Sequence, residues 1–313
     1  MHGQACRANS YNTSDFRDWV FWVSLDGACL MGIPKAFGDA SRRNDGTRAV
    51  AACLFSKKQS KRFAAEMDHH FGKYGGLHMR KLVHGYGAFE PLSESEREVL
   101  RRVAEEIVCS RVETCVVVGC AEQDAEGLIL ENEGYVSPYA ICCHWVALGL
   151  SEWCESNGRR DLIHYTFEAG DRGGGEASKY FEFWAKHKGL SADIRYAGHD
   201  FVTKSVGGAL LQAADLIAWE AGIYMSECMT TEGEVFAKST GRPERPSFLR
   251  LADRLEYGSG LGSRLRIVKL PRAILRAEQA SIARDGRAYD DEQIEKEKLR
   301  QANIKLHEGD YRE

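Results

Sequence analysis

The chain has 313 residues, 43% hydrophobic and 28% charged, which excludes a disordered or fibrous protein and leaves room for one large domain or two small ones. Forty-two Lys and Arg against 46 Asp and Glu give a net charge of −4, so no global basic field speaks for nucleic acid, although a local basic groove would not show in that sum. No apolar run approaches the roughly 18 residues of a membrane span, and the polar start MHGQACRANSYNTSD lacks a signal-peptide core, so no membrane association is expected.

In chain order, two β-prone runs at 18–25 and 28–36 flank Asp26-Gly27, a short hairpin signal. A polar loop follows, then a third run at 47–55, and the three strands predict an antiparallel meander. Residues 57–73 read as a helix ended by Gly75-Gly76, with His69-His70 as a solvated helix end. The stretch 77–89 is mixed. Ser93-x-x-Glu96 is a capping box that opens a helix at about 94–110.

The pattern then changes to alternating strands and helices. CVVVG at 115–119 is a continuous apolar strand, of the kind buried on both faces of a sheet. Ser137-Pro138 supplies an N-cap and a first-turn proline for a helix to about 157. A strand at 161–168, a helix at 176–188 and strands near 193–197 and 200–204 lead to a last apolar helix at 207–222. Beyond 265 the chain is mostly charged with helical stretches. The division expected is a polar arm over 1–17, an α/β domain over 18–264 and a charged helical extension over 265–313, the last a candidate oligomerisation arm.

Ten cysteines, at 6, 29, 53, 109, 115, 120, 142, 143, 154 and 228, include no C-x-x-C pair, and Cys142-Cys143-His144 is too contiguous for a zinc knuckle. Free Cys in apolar segments packs as a small hydrophobe, so a reduced, cytoplasmic protein is expected.

The late helix carries the most informative residues. Gln212 and Asp215, three apart, share a face of a run that is otherwise Leu210, Leu211, Ala213, Ala214, Leu216, Ile217, Ala218 and Trp219. A helix apolar nearly all round is buried, and a buried Asp needs hydrogen bonds, a cation or a metal. Two readings follow: Asp215 caps a neighbouring backbone or pairs with an Arg, or it points into a site. Other carboxylates gather where α/β sheets bind ligands, past the carboxyl ends of strands: Asp26, Glu168 and Asp171. Each also has a plain reading, Asp26 as a turn residue before Gly27 and Glu168 and Asp171 as acids of a Gly-rich loop. Phosphodiester cleavage with Mg²⁺ or Mn²⁺ needs three or four such carboxylates to converge.

GALLQAADLIAW resembles the Q-x-x-D helix of the domain of unknown function 3800 family, and the likeness spans most of residues 18–225. The family's histidine in a His-x-x-x-Leu context is matched by His78 in LHMRKL, and its strand ending in acids by HYTFEAGD. The resemblance implies a ribonuclease H-like mixed sheet, which the order of elements also suits, and metal-dependent nuclease-type chemistry. Carried over by position, it covers Gln212, Asp215 and His78; with the acids gathered above, the expectation is Asp26, Glu168, Asp171 and Asp215 as ligands of Mg²⁺ or Mn²⁺, Gln212 orienting Asp215 or a metal-bound water, and His78 as a base or phosphate contact. Aligned on its glycine, the family's first-strand Asp-Glu-Ser-Gly becomes Ser24-Leu25-Asp26-Gly27 here. Asp26 then faces the same side as Ser24, about 6–7 Å further along. The expectation is a metal-dependent phosphodiesterase or nuclease acting on nucleic acid; the alternative is a nucleic-acid- or protein-binding module that kept the fold and lost the first-strand acids.

Overall fold

A computed structural model describes residues 33–122, 137–171, 173–186, 192–229, 246–255 and 264–270. The centre is β2 (Thr47–Phe55), TRAVAACLF, in which every residue is buried. Its odd and even positions face opposite ways, as a strand requires: Ala49, Ala51 and Cys53 enter one core, Val50, Ala52 and Leu54 the other.

Two antiparallel partners flank it, β1 (Lys35–Arg42) and β3 (Thr114–Ala121). β4 (Ile163–Glu168) then joins β1 in parallel, β5 (Tyr196–Val202) joins β4, and β6 (Leu265–Lys269) joins β3, giving the order β5-β4-β1-β2-β3-β6. One face is covered by α1 (Lys57–Phe71), α2 (Met79–His84), α3 (Glu94–Arg111) and α6 (Lys204–Met229), with α7 (Pro246–Arg254) against α3 and α6. The other carries α4 (Pro138–Ser156) and α5 (Gly174–Lys186). This is the mixed, helix-flanked sheet of a ribonuclease H-like α/β fold.

Several local expectations hold. Ser93 and Glu96 form the full capping box of α3, and the Ser137 hydroxyl accepts the Ala140 N–H at 3.2 Å to start α4. Cys53, Cys109, Cys115, Cys120, Cys142, Cys143 and Cys154 are free and buried. The late helix is indeed buried: Leu210, Leu211, Ala213, Ala214, Leu216 and Ala218 have no exposed surface.

Other expectations need correction. The strand at 18–25 and the Asp26-Gly27 turn lie outside the described residues. Of the strand expected at 28–36, residues 28–32 lie outside the described residues, and β1 runs over Lys35–Arg42, into the stretch that the sequence reads as a polar loop. The turn that sets its register is Arg43–Gly46, where Gly46 takes φ +82° and the Arg43 N–H donates to the Thr47 carbonyl at 2.8 Å. That turn aligns Lys35 with Phe55 and Arg42 with Arg48, giving β2 a partner along its whole length. The two strands expected at 193–204 are one, β5. The boundary placed at 265 falls on the first residue of β6, whose Leu265 and Ile267 are buried in the α3/α6 core. Residues 271–313, the rest of the expected extension, lie outside the described residues.

Candidate active site

Asp39 stands on β1 two residues past Phe37, so its side chain shares Phe37's face, toward α6. The parallel pairing of β1 with β4 ends at Gly38 and Phe167, one step before Asp39 and Glu168, which therefore lie side by side. Asp215 faces both from α6. The three carboxylates come from one early strand, the carboxyl end of a second and a buried helix, at the crevice where α/β sheets bind ligands.

Their common partner is Lys204, the first residue of α6, four residues ahead of a kink at Gly208 (φ +62°, ψ −154°). Lys204 Nζ lies 2.9 Å from Asp39 Oδ2, 3.1 Å from Glu168 Oε2 and 3.3 Å from Asp215 Oδ2. The Asp39 side chain is 1% exposed and that of Lys204 23%. Among the described residues no group of three His, Cys, Asp or Glu side chains stands as a ready metal cage; the ammonium takes the centre of this one.

The electrostatics follow from three acids sharing one buried cation. Burial, then the Asp215 charge and a hydrogen bond to Glu168, hold the Asp39 carboxyl well above its usual range, against the pull of Lys204. Burial also acts upward on Glu168, but the hydrogen bond from Asp39 and the Lys204 ammonium outweigh it and bring Glu168 below its usual value. Of the two, Asp39 is the one whose ionised form the site disfavours. Burial works against the Lys204 charge, yet the three carboxylates raise its pKa.

The Q-x-x-D spacing has a second use. The Gln212 Oε1 accepts the Leu77 N–H at 2.8 Å, and the Asp215 Oδ2 accepts the Met79 N–H at 3.0 Å. His78 is held between those two N–H groups, with Nδ1 3.6 Å from Asp215 Oδ2, a distance that orients the ring without a direct hydrogen bond. Gln212 reaches the loop because Gly76, at φ +97°, has no side chain: a Cβ there would sit 2.7 Å from Gln212 Nε2. Burial, with Lys204 and Lys81, lowers the His78 pKa below the usual imidazole value although Asp215 opposes them. One oxygen of Asp215 thus accepts a backbone N–H and faces the Lys204 ammonium.

Of the residues singled out from sequence, Glu168, Asp215, Gln212 and His78 are brought together. Asp171 makes no ion pair with the ammonium, although the charges of Lys204 and Glu168 reach it: burial raises its pKa, and its ion-pair partner among the described residues is Arg48, 3.9 Å away. Arg48 is itself committed to Glu122 at 2.7 Å. Asp26 lies outside the described residues. Two members were missed, Asp39 and Lys204. The signal for Asp39 was the second Asp-Gly, Asp45-Gly46, which makes Lys35–Arg42 the strand entering the hairpin. For Lys204, a lone lysine between a strand and a buried helix, the sequence offered no comparable signal.

No protein-family model matches the chain, and no curated protein matches it. Among solved structures, it is similar to a chain of the complex of PCNA with RNase HII from Archaeoglobus fulgidus, 16% identical over 74% of this chain and 93% of that one, with a TM-score of 0.34. It is also similar to ribonuclease H2 from Pyrococcus horikoshii OT3, 13% identical over 74% of this chain and 92% of that one, with a TM-score of 0.36. No helix among the described residues is long and apolar enough to cross a membrane.

Proposed function

We propose that this chain is a divalent-metal-dependent phosphodiesterase of the nuclease type, acting on nucleic acid, with Asp39, Glu168 and Asp215 as the residues that hold Mg²⁺ or Mn²⁺. The observation that carries the reading is that three carboxylates from three elements surround one ammonium, so negative charge is in excess at a buried point. The donor set fits: its donors are all carboxylate oxygens, the chemistry that hard divalent cations select. The raised pKa of Asp39 marks the same excess, since one ammonium does not balance three carboxylates.

When bound, the cation would polarise the phosphodiester and stabilise charge on the leaving oxygen. The chain's own residues do the rest. His78, neutral at pH 7, turns Nδ1 toward Asp215 and leaves Nε2 to accept a proton from the attacking water. Gln212 and Asp215 fix the backbone on either side of that imidazole and so its position. Asp171 serves at the rim, where Arg48 faces it.

A second reading, a catalytically silent nucleic-acid- or protein-binding module, draws on one observation: Lys204 by itself already ties the three acids together. Calorimetric titration of Mn²⁺ into the wild type, Asp39→Asn and Asp215→Asn, followed by Mn²⁺-dependent cleavage of mixed DNA and RNA, separates the two. Metal binding and cleavage in the wild type, both lost in the variants, are expected. Metal binding without cleavage would favour the module, and a wild type that takes up no Mn²⁺ would overturn the metal site.

A further inference from the structure

We infer that Lys204 is an internal competitor for the metal: its ammonium occupies the centre of the acid cluster until a divalent cation displaces it, and so sets the metal concentration at which the site turns on. The inference rests on the metal-binding reading above and adds to it a regulator carried by the chain itself.

Three observations carry it. Lys204 Nζ contacts one oxygen from each of Asp39, Glu168 and Asp215 within 3.3 Å, so it uses the same oxygens that a metal would use. A divalent cation held by those same three oxygens would need the centre that Nζ fills, and the charge of the ammonium would oppose its entry. Occupation by the ammonium and by the metal therefore exclude each other, and the loss of one is part of the cost of binding the other.

The residue type also suits release. Lysine is a compact charge on a flexible four-carbon stem, and at 23% exposure the Lys204 side chain has a route to water. The contrast is Arg48, whose side chain is 4% exposed and whose Nε and Nη2 both bond the Glu122 carboxylate at 2.9 and 2.7 Å. Arg48 is locked in place by two such bonds to one carboxylate; Lys204 is shared among single oxygens of three acids.

The competition gives a clear expectation for Lys204→Met, which keeps the length of the side chain and removes its charge. Calorimetry should show Mn²⁺ binding at least about tenfold tighter in Lys204→Met than in the wild type, and close to wild type in Lys204→Arg, which keeps the charge. Thermal melting supplies a readout that does not depend on activity. In chelator Lys204→Met should melt below the wild type, since three acids have lost their cation, and Mn²⁺ should raise its melting point by more than it raises that of the wild type. Equal or weaker Mn²⁺ affinity in Lys204→Met, with wild type binding intact, overturns the competition and leaves the metal site standing. Failure of wild type, Lys204→Met and Lys204→Arg alike to bind Mn²⁺ overturns both. A Lys204→Met protein that melts low and is not recovered by Mn²⁺ makes Lys204 a structural counter-ion, which also overturns the proposal.

Discussion

Gln212 and Asp215, one helical turn apart on α6, accept the backbone N–H groups of Leu77 and Met79, the two neighbours of His78. A motif that sequence presents as a possible catalytic pair is thus also a clamp that aims an imidazole. The clamp joins two parts of the fold: a helix whose apolar residues bury it against β1 and β2, and a loop that would otherwise have no fixed relation to the acids.

Breaking the clamp should loosen the loop before it touches the acids. Gln212→Ala leaves the Leu77 N–H without its acceptor, next to a side chain only 2% exposed, and should cost about 1–3 kcal/mol by urea denaturation. Gly76→Ala should cost a comparable amount by another route, since it strains a backbone at φ +97° and drives a methyl toward the Gln212 amide. If the two effects arise at one place, the double variant should lose clearly less than the sum, and full additivity would disprove the shared contact.

How much of this was legible before the structure depends on the residue. The Q-x-x-D helix could be read because polar residues are conspicuous in a buried run, and Ser93 and Ser137 could be read because caps are local. Asp39 could not, because two Asp-Gly pairs compete for one hairpin and only the pairing of β1 with β2 decides between them. β6 was hidden by its charged surroundings, which obscured a period-2 pattern only five residues long. Lys204 is defined by three partners that are 165, 36 and 11 residues away in sequence, a tertiary fact with no local trace.

His78 offers a direct test of the electrostatics. Burial and the cations Lys204 and Lys81 lower its pKa, and Asp215 raises it. By NMR titration its ring should titrate below the usual 6.5, Asp215→Asn should lower it further, and Lys204→Met should raise it. Because its folded pKa is depressed, the stability this group contributes is present above 6.5 and falls as pH drops below it, where the unfolded chain takes up the proton first. A rise of the His78 pKa in Asp215→Asn would mean that the Asp215 charge does not reach it.

Asp39 should behave the opposite way. Its folded pKa is raised, so between the ordinary value near 3.8 and that raised value the folded state holds a proton that the unfolded state has lost. Stability then falls as pH rises through this window. Asp39→Asn cannot ionise and escapes the penalty, so in chelator its stability relative to the wild type should grow as pH rises from about 4 toward neutrality. Divalent cation should reverse the comparison, since it stabilises the wild type through a ligand that the variant lacks. Denaturation at several pH values, with and without Mn²⁺, measures this; a difference that does not change with pH would show that Asp39 ionises as an ordinary surface acid does.

The side-by-side placement of Asp39 and Glu168 depends on how closely β1 approaches β4, and Gly38 governs that approach. A Cβ on Gly38 would lie 2.4 Å from the Phe167 ring and 3.2 Å from the Ala51 carbonyl oxygen. Phe167 is 1% exposed, stacked on Phe201 and tilted against Phe181, so it has little room to withdraw. Gly38→Ala must therefore move a ring or a strand, and overpacking of this kind costs about 1–3 kcal/mol. If the strand moves, Asp39 shifts relative to Glu168 and Mn²⁺ affinity falls along with stability; if only the ring moves, stability falls and metal affinity does not. Calorimetry beside urea denaturation distinguishes them. The parallel register, with Gly38 opposite Phe167 and the two acids one step beyond, favours the first outcome, because a methyl in that interface pushes on the strand that carries Asp39 at its next residue.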